Sequence, residues 1–130
     1  MSANEGYAAA GEPVLWSIPW TELRSSFGDD SFVRDILGDM KDEMDEGLTS
    51  ISSVLSTDPV ELNQVYTMAH KIKGSASSVK LSYIEGLAND VCVAVKSTDL
   101  EAVLSFVKKL NGARETFCKE YTLKCSPSDT

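Results

Sequence analysis

The sequence is poor in the features that mark several common classes of protein. It has one histidine and three cysteines, and no CxxC pair, so neither a disulfide framework nor a thiolate metal cluster is indicated. This use of cysteine favours a reducing compartment. No stretch approaches the roughly 20 apolar residues that span a bilayer, and the first residues lack the pattern of a secretory signal. We therefore expect neither secretion nor a membrane anchor.

Basic residues are also scarce. Lys and Arg total 12 against 20 Asp and Glu, which gives a formal net charge of -8 and a pI near 4.5. A phosphate backbone would be repelled by this charge, and no basic stripe with interleaved aromatic residues is present. Nucleic acid and anionic membranes are therefore not expected as partners.

Strand patterns are almost absent, because no alternation of β-branched residues persists for the length of a strand. Apolar residues make up 42% of the 130 residues, which is enough for one domain with its own core. The fold is predicted to be all-α, with residues 15–122 forming an up-and-down antiparallel four-helix bundle and a short additional N-terminal helix. Residues 1–14 and 123–130 are predicted to be flexible ends.

Proline, glycine and aspartate suggest the boundaries of the first two helices. A short first helix begins near Pro19 and is closed by Gly28. Its inward residues are Trp20, Leu23 and Phe27. Asp29 to Ser31 offer caps for a long second helix. The apolar stripe of that helix consists of Val33, Leu37, Met40, Met44, Leu48, Ile51 and Leu55.

Three further helices follow. Asp58 and Pro59 are predicted to cap and open the third helix. Its inward residues are Leu62, Val65, Ala69, Ile72, Ala76 and Val79. Those of the fourth helix are Leu81, Ile84, Leu87, Ala88, Val91 and Val95. Thr98 and Glu101 form a capping box at the start of the fifth helix, whose inward residues are Leu100, Val103, Leu104, Val107, Leu110 and Phe117.

The only histidine of the chain lies at the edge of the packed face of the third helix. At about 100° per residue, His70 falls about 100° from Ala69, the middle of the buried stripe. Lys73 and Ser77 follow on the same flank, and Gly74 lies farther toward solvent. These residues are predicted to form one small surface.

A surface of this composition suits phosphoryl transfer. A neutral imidazole nitrogen is a nucleophile near pH 7 without an activating base. The ammonium of Lys73 can neutralise the oxygens of a phosphoryl group. Because glycine costs a helix interior about 1 kcal/mol relative to alanine, Gly74 suggests that another protein approaches closely here. Ser75 and Ser77 add short hydroxyls, which are expected to bond mainly to the helix backbone.

The chain lacks the phosphate-binding loops of nucleotide sites, because neither G-x-x-x-x-G-K nor G-x-G-x-x-G occurs. A phosphoryl group would therefore come from another protein. That partner would also supply magnesium, since this chain has no convincing cluster of ligands.

The segment Ala69–Ser78 resembles the core motif of histidine-containing phosphotransfer (HPt) domains, which reads approximately A-H-x-L-K-G-S-S followed shortly by Gly-Ala. The resemblance spans about residues 18–118. It extends to Pro19–Trp20, to Phe27–Asp30 and to the helix start at Asp99–Glu101.

The resemblance implies a four-helix bundle whose histidine takes a phosphoryl group from a receiver-domain aspartate and passes it to a second receiver. His70 matches the phosphorylated position, and Lys73 matches the lysine that contacts the phosphoryl oxygens. Gly74 matches the small residue that admits the partner. One departure is that Lys80 and Leu81 stand where the motif has Gly-Ala, so the local turn and charge are expected to differ.

Other residues are candidates for docking a partner. Phe32 and Ile36 lie one turn apart, off the main stripe of the second helix. They belong either to an apolar patch that receives a partner near His70 or to residues buried under the short first helix. Lys96, on the fourth helix, is a candidate for the rim of the His70 surface. Cys92 belongs either to that rim or to the core, and the acidic run between Asp39 and Glu46 is interpreted as a solvated face.

Taken together, these patterns predict a phosphotransfer intermediate that carries a phosphoryl group on Nε2 of His70. The resemblance implies that it acts between receiver domains of hybrid sensor histidine kinases and response regulators in a two-component phosphorelay. No kinase activity, resident cofactor or metal is expected, and the expected state is a cytoplasmic monomer, also nuclear if the organism is eukaryotic. The alternatives are a helical adaptor that docks receivers without phosphate and, more weakly, a metal-dependent hydrolase, for which one histidine leaves too few ligands.

Overall fold

The computed structural model describes residues 18–125, which contain five α-helices and no strand. The helices are α1 (Trp20–Phe27), α2 (Asp30–Leu55), α3 (Leu62–Ser78), α4 (Ser82–Lys96) and α5 (Leu100–Cys125). Helix α3 packs against α2 and α4, α5 closes the bundle against α4 and α2, and α1 packs on α2. The predicted all-α bundle with a short N-terminal helix is confirmed.

The ends of the predicted domain are only partly covered by this description. The predicted flexible segment 1–14 and residues 126–130 of the predicted tail lie outside the described residues. Helix α5 continues to Cys125, so the domain boundary expected at residue 122 lies within the last helix.

The core consists of the inward stripes of the four long helices, with Ile18 and Leu23 packed at the α1 end. Every residue predicted to face inward on α2, α3 and α4 is buried or partly buried. Each fully buried aliphatic side chain contributes about 1.5–3 kcal/mol of hydrophobic free energy, so these stripes hold α3 firmly between its two neighbours. That arrangement leaves the opposite face of α3 to solvent.

Three residues predicted to face inward do not. Phe27 is 37% exposed, and its ring meets that of Phe32 edge to face with 5.6 Å between centroids. Leu100 and Leu104 are 41% and 47% exposed. Leu104 lies about 100° around the helix from Val103, and only the latter is on the stripe that meets α4 and α2. The buried residues of α5 are Val103, Val107, Leu110, Ala113 and Phe117.

The caps of α2 and α5 come from aspartates. The Asp29 carboxylate accepts the Ser31 N–H at 2.8 Å, as predicted. At α5 the Asp99 carboxylate accepts the Ala102 N–H at 3.1 Å, so Asp99 takes the capping role predicted for Thr98.

The predicted start of α3 is wrong by three residues. Asp58 and Pro59 lie in the turn that follows α2, and α3 begins at Leu62. The first helical carbonyl is that of Glu61, which accepts the N–H groups of Gln64 and Val65. The Asp-Pro pair therefore belongs to the connection between α2 and α3 and not to the helix.

The turn between α3 and α4 keeps the conformation that glycine favours, although Lys80 occupies it. Lys80 has φ +59°, its N–H donates to the Ser77 carbonyl, and the Leu81 N–H donates to the Ala76 carbonyl. This is the paired hydrogen bonding of a Schellman C-cap. The sequence departure at Lys80 therefore leaves the turn geometry intact, and what it changes is the charge.

Candidate functional site

His70, Gly74 and Ser77 are exposed on α3, and Lys73 beside them is partly buried. They recur at spacings of three and four residues, so they form one row on the helix surface. A Cβ built on Gly74 would have no atom within 4 Å. These residues therefore share one row of the α3 surface, and the space above Gly74 is open.

The imidazole of His70 is stacked on an aromatic ring. Tyr66, one turn earlier on α3, lies with its ring 5.8 Å from the imidazole between centroids and 15° from parallel. Within residues 18–125, no group forms a hydrogen bond with the imidazole. Sequence reasoning missed Tyr66, although an aromatic residue four positions before the lone histidine is a signal that could have found it.

Two cations lie near this surface. Lys96 on α4 places its Nζ 5.4 Å from the centroid of the Tyr66 ring, which is the ring stacked on His70. The positive charges of Lys73 and Lys96 both lower the pKa of the Cys92 thiol of α4, against the effect of its burial. In the described part of the chain neither lysine forms an ion pair. Both ammonium groups are therefore available to an incoming anion.

Cys92 belongs to the core beneath this surface and not to its rim. The residue is 5% exposed, and its Sγ lies 4.0 Å from the Tyr66 carbonyl oxygen, to which it can donate. Burial raises the pKa of the Cys92 thiol, and the positive charges of Lys73 and Lys96 oppose that rise. The thiol is therefore protonated at neutral pH and shielded from solvent.

Alkylation should reflect this burial. At pH 7.5, iodoacetamide is expected to modify Cys92 of the native protein at least roughly tenfold more slowly than Cys92 of the chain in guanidinium, because the reactive thiolate is scarce and covered. Peptide mapping by mass spectrometry after timed quenching measures both rates. Equal rates in the two states would contradict the buried position.

Ser75 links α3 to α2. Its hydroxyl donates to Glu43 Oε1 at 2.8 Å, so it bonds across the helix interface, contrary to the expected bond with the backbone. The other carboxylate oxygen of Glu43 is buried without a partner in the described chain. Asp45 pairs with Lys41 at 3.2 Å and with Arg114 at 2.9 Å. The acidic run is thus only in part the solvated face that was predicted.

Phe32 and Ile36 lie far from His70. They precede Glu43, the α2 residue that bonds to α3, by about 16 and 10 Å along the axis of α2, in the direction away from His70. Phe32 is 47% exposed and contacts Phe27 at the end of α1. Phe32 therefore contacts α1 without being buried under it, and the structure does not bring these residues to the His70 surface.

Residues 18–125 contain neither a cluster of metal ligands nor a membrane-spanning helix. In this range no three His, Cys, Asp or Glu side chains are grouped so that they could hold a metal ion. None of its helices combines the length and apolarity required to cross a bilayer.

Comparison with known proteins identifies one family. The family model for the Hpt domain matches residues 35–115, more than half of the chain, from the first turns of α2 to the middle of α5. The match includes His70 and Lys96. No curated protein and no solved structure matches the chain.

Proposed function

We propose that this chain, which belongs to the Hpt domain family, carries a phosphoryl group on His70 between two receiver domains. Members of this family are phosphotransfer carriers in two-component phosphorelays, and they are not kinases. The observation that carries the proposal is an exposed imidazole, free of hydrogen bonds to residues 18–125, on an open helix surface beside the unpaired Lys73.

The transfer step uses the lone pair of His70 Nε2, the ring nitrogen farthest from the helix. It attacks the phosphorus of an aspartyl phosphate on the donor receiver. The N–P bond forms, the P–O bond to the acyl oxygen breaks, and the electron pair leaves with the aspartate carboxylate. The second step is the reverse of this one, with the carboxylate of the next receiver as the nucleophile.

Lys73 and Gly74 support this step in different ways. Phosphoryl transfer depends mainly on positioning and on stabilising negative charge, and the Lys73 ammonium can approach the equatorial phosphoryl oxygens from one turn away. Because Gly74 has no side chain and no neighbour within 4 Å of its Cβ position, the partner's active site can approach the helix closely enough to reach His70. Magnesium would be bound by the receiver's carboxylates, which are the ligands it prefers.

The charge of α3 fits such a partner. In a chain of net charge -8, the segment Leu62–Ser78 contains no acidic residue, and its Lys73 lies one turn from His70. An acidic receiver site would therefore meet a helix without acidic residues next to His70, and it would be repelled by the acidic helices elsewhere. We propose that the protein meets its receivers as a cytoplasmic monomer through transient interfaces.

Transfer of label tests the proposal. A receiver domain carrying ³²P on its aspartate is mixed with the protein and magnesium, and label should appear on the protein in an acid-labile, base-stable form. The adaptor alternative predicts a complex with the receiver but no label. Label that is stable to acid would also contradict a phosphohistidine.

Gly74→Gln should separate stability from function. Glutamine is close to alanine in helix propensity, so the free energy of unfolding should rise by about 0.5–1 kcal/mol, while the new side chain obstructs the receiver and lowers kcat/KM for transfer by about tenfold or more. Urea unfolding and transfer kinetics measure the two effects.

Gly112→Gln is the matched control. Gly112 is also an exposed helical glycine whose Cβ would have no neighbour within 4 Å, but it lies on α5. The Gly112→Gln variant should gain the same free energy of unfolding, and it should accept the phosphoryl group at the parent rate. If both variants transfer at the parent rate, the opening at Gly74 has no role in docking.

A further inference from the structure

The orientation of the His70 imidazole depends on one contact. An exposed histidine on a helix has two side-chain torsions and exchanges between rotamers on the picosecond to nanosecond scale. With no hydrogen bond to the imidazole in residues 18–125, the stacked ring of Tyr66 is the described contact that selects its plane. An offset parallel pair of this kind is a favoured aromatic arrangement.

Tyr66 is itself held by the neighbouring helix. It is partly buried and packs against the core, so its ring cannot turn away freely. Its backbone carbonyl faces the Cys92 thiol of α4, and its ring lies under the Lys96 ammonium of α4. The imidazole is thus connected through Tyr66 to α4.

We infer that Tyr66 is a positioning residue for phosphoryl transfer: its ring holds the imidazole of His70 in the plane from which Nε2 attacks. This inference rests on the proposed function. A transfer reaction requires the attacking nitrogen near 3–3.5 Å from phosphorus and in line with the leaving oxygen. A ring that is oriented before the receiver docks reaches that geometry without further ordering.

The orientation can be measured without any phosphoryl group. His70 is the only histidine, so its imidazole signals in a ¹H–¹³C spectrum of the full chain are unambiguous. In the parent these signals should be displaced by the ring current of Tyr66. In Tyr66→Leu they should move to the values of an unstructured peptide, and in Tyr66→Phe, which keeps the stacked ring, they should stay. Parent-like imidazole signals in Tyr66→Leu would overturn the inference.

Kinetics with a phosphorylated receiver provides the second readout. Tyr66→Leu should lower the transfer rate at saturating receiver by about tenfold to hundredfold, with KM little changed, because orientation is lost and docking is not. Tyr66→Phe should restore the rate. A change in KM alone would make Tyr66 a docking residue, and a Phe variant as slow as the Leu variant would assign the effect to the hydroxyl. Either result overturns the inference.

Thr67→Ala serves as the matched control, since Thr67 is the exposed neighbour of Tyr66 and its hydroxyl donates to the Asn63 carbonyl of its own helix. It should change neither the imidazole signals nor the rate. Circular dichroism of each variant reports on the fold. If the parent chain itself takes no label, the proposed function fails, while the imidazole spectra still decide whether Tyr66 orients the ring.

Discussion

His70→Gln is expected to abolish labelling of the chain by a phosphorylated receiver. Glutamine retains hydrogen-bonding capacity and similar reach, but it has no nucleophilic ring nitrogen. No second histidine can replace it, because the chain contains one. The side chain is exposed, so the free energy of unfolding should change by less than about 0.5 kcal/mol. Gel autoradiography at neutral pH measures the loss, and thermal unfolding confirms the fold.

Two outcomes would contradict this expectation. Label that persists on His70→Gln would place the phosphoryl acceptor elsewhere on the chain. Equal receiver binding by parent and variant, with no label on either, would leave only the adaptor function. The rate at which the receiver loses its phosphoaspartate provides a further control. This rate should be the same with and without His70→Gln, because the variant should accept no phosphoryl group.

Lys73→Ala is expected to slow transfer by about tenfold to hundredfold, which corresponds to roughly 1.4–2.7 kcal/mol of transition-state stabilisation. The ammonium has no counter-ion in residues 18–125, so its charge is free to act on the phosphoryl oxygens. Rapid-quench measurement of phosphohistidine formation at saturating receiver gives the rate constant. The loss should appear mainly in kcat, because the charge acts on the transferring group.

Lys71→Ala is the control for net charge. Lys71 is also on α3, but it lines a groove with Gly47 and Ser50 of α2, on the flank opposite to Lys73. Removing it changes the charge of the chain by the same amount and should alter the rate by about twofold or less at 0.15 M salt, where exposed charges are screened over about 8 Å. Equal losses in the two variants would mean general electrostatic attraction and no local role for Lys73.

The helices of the bundle were largely predictable from local pattern. The stripe from Val33 to Ile51 and the stripe on α4 follow the helical period, and both are buried. The cap at Asp29 follows from side-chain chemistry within three residues. The errors at Phe27 and Leu104 have one cause: an apolar residue near the edge of a stripe is buried only if a neighbouring helix extends over it, and the pattern contains no information on that neighbour.

The functional site also combines features that local sequence pattern predicts with features that depend on neighbouring helices. The position of His70 at the edge of its helix, with Lys73 and Gly74 on the same row, is a consequence of residue spacing along one helix and was predicted. The approach of Lys96 to Tyr66 and the burial of Cys92 beneath them join residues 26 to 30 positions apart. The sequence left the location of Cys92 open and missed the ring stacked on His70.

Residue order was enough to establish an all-α chain, the faces of its helices and a phosphotransfer motif around His70, because helical periodicity and capping act over a few residues. Tertiary packing was needed to orient the imidazole, to bring Lys96 of α4 to the surface and to move Phe32 and Ile36 away from it. Those features depend on which helices are neighbours and on the register in which they pack. Both are determined by the burial of the whole core.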